Sequence, residues 1–320
     1  MTARIVVTGK IPEAGLELLR TAGDVWAWDL AQQIPDDVRD AELADADVAV
    51  TLLTDRVDQT FLDAAPNLKL VANVAVGYNN IDVAACERRR VVVTNTPGVL
   101  TDATADLAMA LILMSTRRLG EGERLIRSGT PWQWGMFMML GVGLQHRQLG
   151  IIGMGGIGEA LAQRARAFGM TVVYHNRRAV DADTEASLGA RLVGLNELLD
   201  TSDVVSVNCP YGEATHHLID AAALDRMKSS AFLVNTARGP IVDEAALVQA
   251  LQTGEIAGAG LDVFEHEPAV HPGLIGLDNV VLVPHLGSAT IETRSAMATL
   301  AARNVVEVLA GRQPVSPVSS

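Results

Sequence analysis

The 320-residue chain sets 25 basic against 38 acidic residues, a net charge of -13, and is 49% hydrophobic. So negative a balance repels phosphate backbones and anionic lipid heads, which argues against nucleic acid or membrane surfaces as partners, while the apolar fraction suffices to fill the cores of two ordinary domains. The opening MTARIVVTGK has no extended apolar core, and no apolar run approaches the roughly 18 residues of a membrane span, so a cytoplasmic protein is expected.

From the start to about residue 94 the chain alternates strand-like and helix-like segments. RIVVTG, VWAWD, ADVAVTLL, LKLVANVAV and VVVTN read as strands, and PEAGLELLRTAG, VDQTFLDAAP and IDVAACERRR as helices. That βαβ rhythm predicts a parallel sheet. The turn-rich TNTPG at 94–98 marks a domain boundary near Pro97, and LTDATADLAMALILMSTRRLGEGERLI after it reads as one long helix capped by Thr101 or Asp102. Leu107 to Met114 are apolar on all sides, so this helix should be covered on most of them, by its own domain or a second subunit.

At Gln148 the pattern restarts: an apolar strand, a glycine turn, a helix, and a second strand ending at Tyr174. Further strands are expected at DVVSVNCP, AFLVNTARG, AGAGLDVF and VVLVPHLG. A last helix covers IETRSAMATLAARNVVEVLAGR, ending at Gly311, and the tail PVSPVSS should be loose. Cys86 and Cys209 lie far apart with no metal-site neighbours, and His146, His175, His216, His217, His266 and His271 lack ligand spacing, so no metal is expected.

The glycine turn is G-M-G-G-I-G, from Gly153 through Met154, Gly155, Gly156 and Ile157 to Gly158. The first glycine permits the tight turn, the second lets backbone approach a pyrophosphate, and the third lets helix pack on strand. Within strand, turn, helix and strand, the motif points to a bound dinucleotide. About 20 residues on, where an acidic residue would take a free ribose 2′-hydroxyl, stand Asn176, Arg177 and Arg178. Two guanidinium groups suit a 2′-phosphate, which predicts NADP(H) as the preferred cofactor with NAD(H) possible. The alternative is that the arginines merely solvate a loop.

Three residues after apolar strands are candidates for the chemistry, although taken singly the arginine could be half of an ion pair and the histidine a capped loop residue. Arg238 ends AFLVNTAR, Glu267 closes LDVFEHE, and His285 follows VVLVP. A guanidinium at the lip of a core strand needs an anion. A nicotinamide enzyme acting on a carbonyl needs a cation to hold substrate, an acid to protonate oxygen, and a group to orient that acid.

VAVGYNNID, LGIIGMGGIG, NTARGPIVDEAAL, AGAGLDVFEHEP and VPHLGSAT together resemble the D-isomer-specific 2-hydroxyacid dehydrogenases along nearly the whole chain. The resemblance implies α/β architecture with two doubly wound parallel-sheet domains: a flavodoxin-like substrate domain, 1–97 plus 289–320, and a Rossmann cofactor domain, 98–288. It implies Arg238 as carboxylate clamp, His285 as general acid/base and Glu267 as its partner. It further implies substrate contacts from the amides of Val76 and Gly77, and dinucleotide contacts at Cys209, Pro210, Thr215, Thr236, Ala237, Asp262, His285 and Gly287, a structural role for Asp262 staying open.

LLTDRVD, VLTDATADLAMALILMSTRRL and TPWQWGMFMMLGVGL are most like glyoxylate/hydroxypyruvate reductases. In those enzymes a tryptophan of this segment reaches the partner subunit's site, which matches Trp134; Trp132 is one residue out of that spacing. A homodimer and a small 2-oxo acid, glyoxylate or hydroxypyruvate, follow as expectations. The alternatives are reduction of pyruvate, phenylpyruvate or phosphohydroxypyruvate, or a dinucleotide-sensing protein of corepressor type. Two positions depart from the family's wording: Gly156 stands where arginine is common, and PYGEATHHLI replaces a proline-leucine-threonine stretch.

Overall fold

The computed structural model describes residues 2–318, which divide into two compact units, 2–100 with 288–318 and 101–287. The first holds a five-stranded sheet: β1 (Arg4–Val7), β2 (Asp24–Ala27), β3 (Val48–Thr51), β4 (Leu70–Asn73) and β5 (Val92–Thr94). The order is β2-β1-β3-β4-β5 with every pairing parallel, the doubly wound order of flavodoxin-like folds. β3 and β4 are buried throughout, as strands covered on both faces must be. One face packs on Phe61, Leu62 and Cys86, the other on Leu19, Ala298, Ala302 and Val305. Gly15 in helix Glu13–Arg20 lets that helix close on Ala298 of the last helix, Ile291–Leu309, where a Cβ would stand 2.7 Å from the alanine methyl.

The second unit holds seven parallel strands: β6 (Gln148–Ile152), β7 (Thr171–His175), β8 (Ala190–Leu192), β9 (Val204–Val207), β10 (Phe232–Asn235), β11 (Gly258–Leu261) and β12 (Val280–Leu282). Their order, β12-β11-β10-β9-β6-β7-β8, reverses direction between β6 and β9. Such a switch point leaves a crevice outside the carboxyl ends of the strands, where doubly wound sheets bind ligands. Two apolar clusters cover the faces, one around Leu198, Leu224 and Leu247, the other around Leu111, Leu149 and Leu161.

Two sequence expectations fail. The long helix after residue 100 is two, Thr101–Thr116 and Leu119–Arg127, broken at Arg118, whose φ is 54°. The Thr116 carbonyl accepts instead from the amide of Val142 at 2.7 Å, and Gly141 passes so close that a Cβ would stand 2.5 Å from that oxygen. A continuous helix would need that oxygen for its own ladder. Nor is the tail loose as far as Val318. Pro317 bridges Thr94 in antiparallel fashion, and the Val318 amide donates to Val93 O at 2.8 Å. Ser319 and Ser320 lie outside the described residues. Among the described residues no helix is long and apolar enough to cross a membrane.

Candidate active site

In the second unit, the segments leaving β10, β11 and β12 bring Arg238, Glu267 and His285 together. Asn235 ends β10 as a buried side chain whose Oδ1 accepts from the Ala237 amide at 3.0 Å and whose Nδ2 donates to Arg238 O at 2.9 Å. These bonds shape the turn that presents Arg238. Burial lowers the pKa of its guanidinium, against the opposing charge of Glu267. Gly239 is needed here because a Cβ would overlap the backbone of Phe264 and Glu265. The Arg238 turn is thereby seated on the segment that carries Glu267.

Glu267 Oε1 accepts from the Phe264 amide at 3.0 Å, and Oε2 lies 2.9 Å from Nδ1 of His285. Burial alone would push this carboxyl up, but the hydrogen bond and charge of His285, the Phe264 amide and Arg238 outweigh it and hold it below its ordinary value. His285 adopts φ 52°, a left-handed conformation unfavourable for a residue with a Cβ. Its amide is held by Asp262 O at 2.8 Å and Val283 O at 3.1 Å.

Asp262, after β11, is 1% exposed. Its two oxygens accept from the amides of Leu286 and Gly287, so the carboxylate fixes the loop behind His285. Burial pushes its pKa up, against those amides and the His285 charge.

A further network joins this region and has no simple sequence signal. Glu265 and Glu244 exchange backbone amides: the Glu265 amide donates to Glu244 Oε1 at 2.6 Å, the Glu244 amide to Glu265 Oε2 at 3.4 Å. His217 Nε2 lies 2.7 Å from Glu265 Oε1, its amide donates to Pro240 O, and its ring stacks on His216 at 4.0 Å. The carboxyl of Glu244 is raised, chiefly by burial and partly by the Glu265 charge. The partners lie 21 and 48 residues apart in sequence, so no spacing discloses them.

The glycine turn follows β6 at the switch point. Gly153 has φ 99°, and a Cβ there would overlap the Cys209 backbone after β9. A Cβ on Gly158 would stand 2.6 Å from Gly153 O, whereas one on Gly155 meets nothing within 4 Å. The open glycine caps helix Gly156–Ala167. Its amino end offers backbone donors and a positive dipole to an anion.

Asn176 closes the turn from β7, its Oδ1 accepting from the Met154 amide at 2.7 Å and its Nδ2 donating to Met154 O at 2.9 Å. Its side-chain amide therefore serves the turn itself. Arg177 and Arg178 are exposed and form no salt bridge among the described residues. The loop that bears them is anchored by Tyr174, whose hydroxyl donates to Glu185 Oε1 and accepts from the Val180 amide.

Farther along the crevice, Asn208 Oδ1 and Thr236 Oγ1 are buried with no hydrogen-bond partner among the described residues. Two orphaned polar atoms beside a turn shaped for phosphate suit a dinucleotide. Burial pushes the Cys209 thiol up to about 11, leaving it a neutral lining group. Thr215 Oγ1 is committed to its own loop, accepting from the Gly212 amide at 2.9 Å and donating to Pro210 O at 3.0 Å. Ile157 and Ala237 are half-buried. Trp134 is 72% exposed, within an apolar stretch that also exposes Trp132, Met136, Phe137 and Leu140. No three His, Cys, Asp or Glu side chains among the described residues gather to hold a metal ion.

In the first unit, Val76 and Gly77 follow β4, with Val76 O accepting from Asn95 Nδ2 at 2.8 Å and Gly77 O from Asn73 Nδ2 at 2.9 Å. Both bonds take carbonyl oxygens and leave the two amides out of them.

The family described as "D-isomer specific 2-hydroxyacid dehydrogenase, NAD binding domain" matches residues 109–287. A glyoxylate reductase of Thermococcus onnurineus is 46% identical over 324 aligned positions, covering 100% of this chain and 96% of the relative. Among solved structures, an NADPH-dependent glyoxylate/hydroxypyruvate reductase of Sinorhizobium meliloti in complex with NADP and malonate superposes with a TM-score of 0.84 at 35% identity, covering 100% of this chain and 97% of that one. D-mandelate dehydrogenase of Rhodotorula graminis gives 0.91 at 31% identity, with 100% and 99% covered.

Proposed function

The chain belongs to the D-isomer specific 2-hydroxyacid dehydrogenases, and on that premise we propose that it reduces a small 2-oxo acid, glyoxylate or hydroxypyruvate, to the D-2-hydroxy acid, with NADPH preferred over NADH. The observation that carries the reading is the Glu267–His285 pair beside Arg238 at the carboxyl end of the sheet. A nicotinamide dinucleotide, when bound, supplies the hydride.

The chain's own groups do the rest. Gly153, Gly155 and the amino end of helix Gly156–Ala167 would hold the pyrophosphate, and Asn208 and Thr236 offer polar atoms to the bound molecule. Arg238 holds the 2-oxo acid through two parallel hydrogen bonds, a geometry its rigid fork provides and an ammonium does not. With Nδ1 directed at Glu267, His285 presents Nε2 to the substrate oxygen, gives it a proton during reduction and takes it back during oxidation. Glu267, as the partner of Nδ1, fixes the tautomer and the orientation of the ring. The family resemblance assigns the amides of Val76 and Gly77 as carboxylate donors. Asp262 acts by holding the loop behind His285.

The cofactor preference rests on Arg177 and Arg178, two exposed guanidinium groups after β7 and outside any salt bridge among the described residues. They suit a 2′-phosphate better than a free hydroxyl. A homodimer is proposed from the exposed apolar stretch at 132–140, which a monomer would leave in water. By the resemblance, Trp134 in that stretch is the tryptophan assigned to limit substrate size in a partner's site.

Oxidation of NADPH and NADH should be followed with glyoxylate, hydroxypyruvate, pyruvate and phenylpyruvate, alongside light scattering for mass. Turnover of the two small acids with NADPH is expected. Tight NADPH binding without turnover of any acid would overturn the reading in favour of a dinucleotide sensor.

A further inference from the structure

The loop that carries Val76 and Gly77 is held by three consecutive carbonyls. Ala75 O accepts from the Thr96 amide at 2.9 Å, Val76 O from Asn95 Nδ2 at 2.8 Å, and Gly77 O from Asn73 Nδ2 at 2.9 Å. In a trans peptide the N–H of one residue points opposite to the C=O of the residue before it. Fixing Ala75 O therefore aims the Val76 amide, and fixing Val76 O aims the Gly77 amide. Asn95 and Thr96 supply two of the three donors, and both lie just beyond the end of β5.

Asn95 is held in turn by the carboxy-terminal tail. Its amide donates to Ser316 O at 3.3 Å, and its carbonyl accepts from Ser316 Oγ at 2.7 Å. Ser316 is clasped by Asn304: its amide donates to Asn304 Oδ1 at 3.0 Å, and Asn304 Nδ2 donates to Ser316 Oγ at 2.9 Å. Asn304 is fully buried on helix Ile291–Leu309, beside the buried Ala301 and Val305. A buried amide on an apolar face is costly unless paired, and it is paired with the tail and with Leu300 O.

From these contacts we propose that the tail is a positioning element for substrate binding: Ser316, held by Asn304, fixes Asn95 and with it the direction of the Gly77 amide. This inference rests on the reading of Val76 and Gly77 as carboxylate donors. The tail acts through Asn95. Its loss loosens a peptide plane that binds substrate and leaves the proton and hydride chemistry intact.

The test is steady-state kinetics with glyoxylate and NADPH on the full chain, a chain ending at Gln313, Ser316→Ala, Asn95→Ala, and Asn95→Ala ending at Gln313. Dinucleotide affinity is measured by fluorescence titration and folding by thermal melting. Tail removal should raise KM for glyoxylate by about three- to tenfold, with kcat and dinucleotide Kd within about twofold. Asn95→Ala should raise KM similarly, and removing the tail from that variant should add nothing, because both changes release one peptide plane. An unchanged KM in a folded truncated chain would overturn the inference, as would effects that multiply. If the truncated chain melts below assay temperature, Ser316→Ala decides: a raised KM supports the inference and an unchanged one sinks it. Absence of 2-oxo acid turnover by the full chain would overturn the functional reading and this inference with it; turnover with an unmoved KM overturns this inference alone.

Discussion

Glu267 grips the His285 ring and its own loop with one carboxylate, Oε2 lying 2.9 Å from Nδ1 of the ring and Oε1 accepting from the Phe264 amide at 3.0 Å. Glu267→Gln keeps the shape but replaces the carboxylate at Nδ1 with a neutral amide. Turnover should fall by about 10²-fold or more, with dinucleotide affinity nearly unchanged. Stopped-flow reduction and a binding titration would check this, and wild-type turnover in the variant would refute the pairing as functional.

The pH dependence follows from the direction of the Glu267 shift. Its carboxyl is held below its ordinary value of 4.5, so the ionised form is favoured in the fold. Its contribution is present above the ordinary value and lost as pH falls through the lower, folded value. The acid limb from this group should therefore lie below pH 4.5. Arg238 is one of the groups holding it down, so Arg238→Gln should move that limb to higher pH. A kcat profile between pH 3 and 6, at roughly 0.5-unit steps, would show it.

Arg238→Lys keeps the charge and loses the fork. We expect kcat/KM for the 2-oxo acid to fall by about 10²-fold, most of it through KM, with dinucleotide Kd unchanged. A lysine variant with normal kinetics would mean that charge alone suffices and that no parallel pair of bonds is made.

The glycines of the turn should not behave alike. Gly158→Ala places a methyl 2.6 Å from Gly153 O and should cost dinucleotide affinity and stability together. Gly156→Ala meets only the Thr101 side chain at 3.7 Å and lies within a helix, so it should raise stability by roughly 0.5 kcal/mol. Thermal melts with and without NADPH would separate the two, and equal losses would contradict the geometry.

Arg177→Glu with Arg178→Ala removes both guanidinium groups after β7 and adds an acceptor for a free ribose hydroxyl. The ratio of kcat/KM for NADPH to that for NADH should drop by about 10²-fold or more. An unchanged ratio would assign both arginines to solvation.

What the sequence disclosed depends on how local the cause is. β6, β10 and β11 announce themselves because strands buried on both faces need unbroken apolar runs, and Gly153 to Gly158 because a close backbone approach tolerates no Cβ. β8 escapes notice because Ala190–Leu192 is short and mostly exposed. The helix Asp36–Leu43 escapes because it buries only Leu43. The helix break at Arg118 is set by Val142 and Gly141, and the pinned tail by Asn304 and Asn95, each a contact between distant residues. Arg238, Glu267 and His285 stand out as chemistry beyond strand ends, whereas the Glu244–Glu265–His217 network takes shape only when separate segments meet.

The bond from Val142 to Thr116 O also changes what the stretch between them is. Its two ends are stitched together at the base, so the segment between them, including helix Leu119–Arg127 and the exposed tryptophans, is a closed loop whose helix is tied back to the unit by the Arg124–Asp278 ion pair. Closing a loop costs free energy that grows only slowly with its length. The loop can therefore change in length at small cost to the sheet beneath, and none of Arg238, Glu267 and His285 lies on it.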